Sequence, residues 1–155
     1  MTFVPGDLYH SGYLVEDLEE CRDRLERLGY ARWTPPKEHA LPILVGDEHL
    51  TARFRYVYSA DGPHHLELIQ PLEPGYLRTS GAMTFHHLGF WVDDLTVSIA
   101  AAPDAGLSLE CTFLEDDGSA KVAYLLDDAG TRYEMVPRAH QPVMEQRWAL
   151  APAPV

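Results

Sequence analysis

A nine-residue pattern occurs twice in the chain and constrains the fold more than any other feature. The segment HSGYLVEDL begins at His10, and HLGFWVDDL begins 77 residues later at His87. Both read His-x-Gly-aromatic-x-Val-acid-Asp-Leu. Internal similarity at a fixed offset indicates that one supersecondary unit is used more than once. The sequence therefore predicts two related modules within a single domain that spans residues 1–155.

Each copy leads into a stretch with the pattern of a short helix. Asp17 is a good N-cap, and an acidic residue follows three positions later, as in a capping box. The apolar residues of this stretch recur at helical spacing: Leu18, Cys21, Leu25 and Leu28. Gly29 ends the first helix. In the second copy, Asp94 caps a helix that Pro103 should end or bend, and Gly106 marks its exit.

Short strand-like runs follow each predicted helix, separated by turn signals. They are Tyr30–Trp33, Ala52–Tyr58 and His64–Gln70, then Leu107–Phe113, Ala120–Leu126 and Arg132–Val136. Each half reads βαβββ, so we predict an α+β fold, with module one at about 7–72 and module two at about 84–137. The loop Pro35–Leu50 either covers a site or is a surface insertion. In the C-terminal tail, 138–155, Trp148 docks on the domain or the segment is loose.

The last strand of each half carries a glutamate between apolar neighbours, in LELIQP and RYEMVP. A carboxylate inside such a strand is costly unless a cation or a strong donor meets it. Glu67 and Glu134 hold equivalent places in the two halves, as do His10 and His87. This mixed nitrogen and oxygen set suits Zn, Fe, Mn, Co or Ni in an open geometry. We predict that the four side chains bind one divalent metal ion and leave two positions for neighbouring substrate oxygens.

Residues near this set leave alternatives open. His86 neighbours His87 and could be the ligand instead, although the repeat pairs His87 with His10. His65 shares a strand face with Glu67 and could support that carboxylate. Five residues of the third strands either line a cavity or, as we favour for each one, serve cross-strand packing and surface charge. They are Arg53, Tyr56, Tyr58, Lys121 and Tyr124.

Four segments, HSGYLVEDL, HLELIQP, HHLGFWVDDL and YEMVP, extend over about Leu8 to Pro137. Together they resemble the vicinal-oxygen-chelate superfamily, which includes glyoxalase I, methylmalonyl-CoA epimerase, extradiol dioxygenases and bleomycin-resistance proteins. The resemblance implies a mixed sheet curled into a half-barrel around a metal, with ligands from the first and last strand of each module. By position these ligands are again the two histidines and two glutamates. The resemblance also implies a homodimer.

The pattern departs from the best-known members in two places. The ligand set is similar to that of glyoxalase I, whereas methylmalonyl-CoA epimerases usually have glutamine where Glu67 stands. The run VEDLEECRDRLERLGY lacks the Phe-Tyr pair that is common after the helix start in glyoxalases. The glyoxalase-like and epimerase-like branches are therefore equally open.

These residues lead to an expected reaction. A divalent ion would hold two oxygens of a small carbonyl compound and stabilise an enolate as a proton leaves the adjacent carbon. Glu67 and Glu134 are the candidate catalytic bases, so we expect an isomerase, an epimerase or a glyoxalase-type lyase. One alternative is an extradiol-type dioxygenase with non-haem iron, which would use only two histidines and one carboxylate. Another is a small-molecule (antibiotic) binding protein, a type that commonly lacks the metal ligands.

Net charge, the N-terminal pattern and cysteine content limit the classes of partner and the cellular location that the sequence favours. The formal net charge is -12, from 24 acidic and 12 basic residues, which disfavours nucleic acid and anionic membranes as partners. Local basic spots could still receive an anionic small molecule. The first residues do not have the pattern of a signal peptide, and the two cysteines lack metal-type spacing. We therefore expect a cytoplasmic location and reduced thiols.

Overall fold

The computed structural model describes residues 2–154, which form eight strands and three α-helices. Two short 3₁₀ turns, Ala102–Ala105 and Arg138–His140, follow the second helix and the last strand. In chain order the elements are β1 (Asp7–Val15), α1 (Leu18–Glu26), β2 (Lys37–Val45), β3 (Glu48–Tyr58), β4 (His65–Pro71), β5 (Met83–Val92), α2 (Leu95–Ala101), β6 (Ser108–Leu114), β7 (Ala120–Leu126), β8 (Arg132–Pro137) and α3 (Gln141–Ala149).

The strands form one mixed sheet that closes into a barrel in the order β1-β4-β3-β2-β6-β7-β8-β5. The pairs β1–β4 and β5–β8 are parallel, and the other pairs are antiparallel. The predicted α+β fold with a mixed sheet is confirmed. The predicted half-barrel is wrong in one respect, because β2 and β6 join the two halves and close the sheet. This seam is short and consists of the pairs Ile43–Phe113 and Leu44–Thr112.

The seam exists because the segment predicted as a loop, Pro35–Leu50, is mostly a β-hairpin. All nine residues of β2 pair with β3, while Tyr30–Trp33, predicted as a strand, contributes only an isolated bridge from Trp33 to Ser59. Gly46 has φ +60° in the two-residue turn between the strands, where such hairpins favour glycine. Pro42 is tolerated in β2 because a strand with so short a second neighbour leaves most of one edge without partners.

Both predicted helix starts are confirmed. The Asp17 carboxylate accepts a hydrogen bond from the Glu20 backbone N–H at 2.8 Å, and Asp94 accepts one from the Val97 backbone N–H at 3.0 Å. The buried side of α1 consists of Leu18, Cys21 and Leu25, which are three of the four members of the predicted apolar stripe. The fourth, Leu28, lies beyond the end of the helix at Glu26 and is exposed. Gly106, with φ +75°, ends the 3₁₀ turn that follows α2. These caps satisfy backbone donors that a short helix otherwise leaves without partners.

The C-terminal tail docks on the barrel instead of lying loose. Residues Gln141–Ala149 form α3, and the buried indole of Trp148 stacks on the His65 ring with 3.6 Å between the ring centroids. The same indole also contacts Tyr9 and Tyr58 inside the barrel. α3 therefore forms part of the wall around the barrel interior. Within residues 2–154, no helix has the length and hydrophobicity to cross a membrane.

Candidate metal centre

The two central strands, β1 and β5, bring the predicted ligands together by their register. His10 lies opposite Gly89, and Gly12 lies opposite His87. On the outer side, Gly12 pairs with Glu67 of β4, and Gly89 pairs with Glu134 of β8. Neighbouring strands thus place all four polar side chains at one level of the barrel.

The glycine of each repeat provides the space for the histidine of the other repeat. A Cβ built on Gly12 would lie within 3.0 Å of the His87 ring, and a Cβ built on Gly89 would lie within 3.0 Å of the His10 ring. Neither distance is sterically possible without movement of the ring or of the strand. This reciprocal requirement explains why the repeated motif contains His-x-Gly. Sequence reasoning noticed the glycines but assigned them no role.

The four side chains meet at a single point. The Nε2 atoms of His10 and His87 lie 2.9 Å apart. A carboxylate oxygen of Glu134 lies 2.9 Å from both of these nitrogens, and an oxygen of Glu67 lies 3.2 Å from both. The four donor atoms all lie within 4.8 Å of one another, in the arrangement expected for a metal-binding group. The histidines are fully buried, and the glutamates are buried to at least nine-tenths.

This cluster fits a divalent cation. Donors bound about 2.1 Å from a metal and at right angles to each other lie ~3 Å apart, which is the spacing of the five donor pairs given above. The Oε2 atoms of both glutamates are buried and have no hydrogen-bond partner among the described residues. Without a cation, two carboxylate oxygens and two facing imidazole nitrogens share one buried point, where only protons on the histidines could balance the charges of the glutamates. The donor set therefore could hold a metal ion, and its chemistry does not select one metal.

The electrostatics of the cluster support the ligand forms of the carboxylates. Burial raises the pKa of a carboxyl group, but the two histidines outweigh this effect and lower the pKa of both Glu134 and Glu67. Burial also works against a charged imidazole, yet Glu134 and Glu67 raise the pKa of His87 to about 9 and raise that of His10 as well. The glutamates are therefore ionised near neutrality, and a bound metal would replace the protons on the histidines.

The surroundings of the two histidines differ. The Nδ1 atom of His87 lies 2.9 Å from the Nδ1 atom of His86, so His86 holds the ring of its neighbour rather than joining the cluster. Arg132 donates to the His86 carbonyl and forms an ion pair with Glu110. The Nδ1 atom of His10, by contrast, is buried and has no hydrogen-bond partner among the described residues.

His65 does not support Glu67 as the sequence suggested. Its Nδ1 lies 2.7 Å from the Ser59 carbonyl oxygen, and its ring stacks on Trp148. Strand parity placed His65 and Glu67 on one face, but the two side chains contact different partners. His65 instead contacts the C-terminal helix through this stacking.

The cluster opens on a cavity of about 110 Å³, which Glu67 and Glu134 line together with aromatic and apolar side chains. Four of the five third-strand residues also line it, against our preference for packing roles: Tyr56, Tyr58, Lys121 and Tyr124. The fifth, Arg53, lies outside the cavity and pairs with Glu38 on the surface. Burial raises the pKa of Tyr58 and of Tyr124, so both phenols are neutral hydrogen-bond donors near the cluster.

A second cavity of about 390 Å³ adjoins the first and lies against α3. Sequence reasoning missed several residues of these cavities, and three of them come from the predicted tail and the predicted loop and carry polar or flexible side chains. Met144 and Arg147 come from α3, and His39 comes from β2. None of the three has a counterpart in the repeated motif, so no sequence pattern indicated that they border the site.

Solved structures similar to this chain share its fold at low sequence identity. The methylmalonyl-CoA epimerase of Mycobacterium tuberculosis aligns over 88% of this chain and 90% of its own, with 18% identity and a TM-score of 0.59. A variant of the Streptomyces coelicolor methylmalonyl-CoA epimerase, in complex with 2-nitronate-propionyl-CoA, aligns over 86% and 98%, with 21% identity and a TM-score of 0.56.

A third similar structure belongs to a longer protein. A mutant of 4-hydroxymandelate synthase from Streptomyces coelicolor aligns over 86% of this chain but 38% of its own, with 19% identity and a TM-score of 0.51. No curated protein matches the sequence. These likenesses support the fold, whereas the site rests on its own geometry.

A family model provides the classification that the repeat predicted. The model described as Glyoxalase/Bleomycin resistance protein/Dioxygenase superfamily matches residues 9–124, which include the first three members of the four-donor cluster. The chain belongs to this superfamily.

Proposed function

We propose that this protein is a metal-dependent enzyme that moves a proton at the carbon next to a carbonyl group of a small molecule. Isomerisation, epimerisation and the glyoxalase-type lyase reaction all have this step in common. The observation that carries the proposal is the buried group of His10, Glu67, His87 and Glu134, which faces a cavity with carboxylates in its wall. Reaction class is argued from this site because the superfamily fold supports several chemistries.

Different residues of the chain have different roles in the proposed reaction. A divalent ion held by the four side chains would supply Lewis-acid polarisation of the substrate carbonyl oxygen. Glu67 and Glu134 both line the cavity, so each offers a carboxylate to a carbon-bound proton. Removal and return of a proton on one face needs one carboxylate, and epimerisation needs one on each face. The neutral Tyr58 hydroxyl lies in the same wall and can donate to an oxygen that gains negative charge.

The alternatives fit the geometry less well. A dioxygenase of the two-histidine, one-carboxylate type leaves three positions for substrate and oxygen, and a second carboxylate takes one of these. A pure binding protein has no need for two ionised carboxylates inside the barrel, where each must be balanced. Homodimer formation and cytoplasmic location stay predictions from the sequence and the resemblance.

Solvent-exchange measurements test the proposal directly. The protein is loaded separately with Zn²⁺, Ni²⁺, Co²⁺, Mn²⁺ or Fe²⁺ and incubated in D₂O with a panel of 2-oxo acids, hemithioacetals and branched acyl thioesters. We expect proton NMR to show deuterium at the carbon beside the carbonyl for at least one pair of metal and compound. Glu67→Gln and Glu134→Gln identify the base, because the variant that lacks it loses exchange while still binding the compound.

Two outcomes would contradict the proposal. Cleavage of a catechol ring by the Fe²⁺ protein in air, without exchange on any carbonyl compound, would identify a dioxygenase. Failure of the purified protein to take up any of these metals would remove the chemical basis for both enzymes and favour a binding protein. A matched control is Glu38→Gln, because Glu38 is a surface residue on β2 that pairs with Arg53 and should leave exchange unchanged.

A further inference from the structure

Two cationic side chains line the cavities next to the four-donor cluster without a carboxylate partner. Lys121 projects from β7, and its side chain makes no ion pair or hydrogen bond within residues 2–154. Arg147 projects from α3, and its Nη1 donates to the Tyr56 hydroxyl at 3.1 Å. The Nη2 atom of Arg147 is buried and has no hydrogen-bond partner among the described residues. Such an atom is expensive to bury unless a ligand completes its hydrogen bonds.

The position of the Arg147 guanidinium is fixed by its neighbours. The group lies over the Tyr56 ring, 5.3 Å from the ring centroid, and Nη1 also contacts the Met144 sulfur at 3.4 Å. The Tyr56 hydroxyl in turn lies 3.0 Å from Nε2 of His39, on the neighbouring strand. These contacts occupy Nη1 and leave Nη2 free. An arginine held in this way is prepared for a planar anionic group.

The charges of the two cavities balance only when an anion is present. Glu67 and Glu134 are the acidic residues among the described residues that line them, and a divalent ion would neutralise both. Lys121 and Arg147 then leave two positive charges beside the metal position. This local excess stands in a chain with a net charge of -12, whose surface otherwise repels anions.

We infer that the substrate of the proposed reaction carries a carboxylate, which Arg147 and Lys121 bind while its carbonyl oxygen faces the four-donor cluster. The inference rests on the proposed function and adds the substrate class: a small oxo acid or an acyl compound with a free carboxylate. The rest of the lining is aliphatic and aromatic, including Val122 and Met144, and suits a short carbon skeleton.

The behaviour of His39 agrees with this assignment. Burial lowers the pKa of His39, and the positive charges of Lys121, Lys37 and Arg147 lower it further. The two cavity cations therefore act on a side chain that borders the same space. An anion placed between them would offset this effect.

Paired chelators test the inference by binding alone, without turnover. The protein is loaded with Co²⁺, whose absorbance reports occupation of open metal positions. It is then titrated calorimetrically with the monohydroxamates of malonic, succinic and glutaric acid. Each is compared with the neutral acyl hydroxamate of the same length, so that the two members of a pair differ only in the carboxylate. We expect at least one acid to bind about 10- to 100-fold more tightly than its neutral partner, the usual range for hydrogen bonds to a charged group.

Substitutions assign this preference to the two cations. Arg147→Met and Lys121→Met should each remove most of it and leave affinity for the neutral hydroxamate unchanged. Lys121 lies on a strand, so the Lys121→Met variant measures the preference for the carboxylate even if Arg147→Met disturbs α3. Arg53→Met is the matched control, because it removes one positive charge from a surface position outside the cavities. The control should retain the full preference.

The outcomes separate the inference from the proposed function. If every acid binds like its neutral partner, the carboxylate assignment is wrong and the metal site stands. If Arg53→Met reduces the preference as much as the cavity variants do, net charge explains it and the assignment is again wrong. If no hydroxamate changes the Co²⁺ spectrum, the open metal positions do not exist, and the proposed function and this inference both fail.

Discussion

The substitution Gly89→Ala tests the reciprocal packing that builds the centre. A Cβ at position 89 would lie within 3.0 Å of three atoms of the His10 ring, in the interior of a strand pair. The ring cannot retreat freely, because it is fully buried and has Tyr9 and Tyr58 as ring neighbours. Either the imidazole turns away from the other donors or β1 and β5 separate locally. Both responses misplace one of the four ligands.

Gly89→Ala should lower both the free energy of unfolding and the affinity for metal. Overpacking of an interior costs about 1–3 kcal/mol. Replacement of glycine by alanine also lowers the conformational entropy of the unfolded chain, which stabilises the folded protein by about 0.4–1 kcal/mol. The net loss in the free energy of unfolding should therefore be about 1 kcal/mol, or a fall in Tm of roughly 2–4 °C for a chain of this size. Metal affinity should fall by more than the about 10- to 100-fold typical of changes behind a ligand, because a ligand itself is displaced.

Competition with a chromophoric chelator measures the metal affinity, and thermal unfolding of the metal-free protein measures the stability. Gly75→Ala is the matched control, because a Cβ there would meet no atom within 4 Å and the residue does not have a positive φ. We expect it to bind metal like the unchanged protein. Gly89→Ala with the affinity of Gly75→Ala would refute the reasoning, since His10 would then need no space from the opposite strand.

Three further predictions concern residues around the centre. His86→Ala should lower metal affinity by about 10- to 100-fold in the chelator assay, because the imidazole that orients His87 is lost; unchanged affinity would contradict this. Trp148→Ala should cost about 3 kcal/mol in urea unfolding and make the C-terminal helix sensitive to protease, with Trp148→Phe intermediate; equal resistance of all three proteins would show that the helix docks without the indole. Lys121→Met should raise the pKa of His39 in an NMR titration, since loss of a nearby positive charge favours the protonated ring; a fall would reverse the sign of the proposed field.

Much of the fold could be predicted because its signals are local. A capping aspartate and an apolar stripe define α1 whatever surrounds it, although the helix ends at Glu26, three residues before the glycine predicted to end it. β2 escaped prediction because Pro42 and the flanking prolines resemble a loop, and its pairing partner lies across a turn. Closure of the barrel through Ile43 and Phe113 depends on contacts between distant segments, which no periodicity within one strand can indicate.

The residues of the candidate site also fall into those with a local sequence signal and those that only the fold brings together. His10, Glu67, His87 and Glu134 could be found because the repeat marks them and because a carboxylate in an apolar strand demands a partner. His39 and Arg147 could not be found in this way. Each is an ordinary polar residue in its own segment, and only the fold brings the two to the Tyr56 hydroxyl.

This division bears on how a nearly symmetric centre can act on an asymmetric molecule. The repeated residues supply matching donors, and each repeat depends on the glycine of the other for space, so the centre itself hardly distinguishes one side of a substrate from the other. Asymmetry comes from segments outside the repeated motif. The β2–β3 hairpin is longer than its counterpart, β6–β7, and no helix equivalent to α3 follows β4 within the described residues. Arg147, held by Tyr56 and supported by His39, belongs to this non-repeated part. Substitutions in the non-repeated part should therefore change which compound binds, whereas substitutions in the repeated part should change whether metal binds at all.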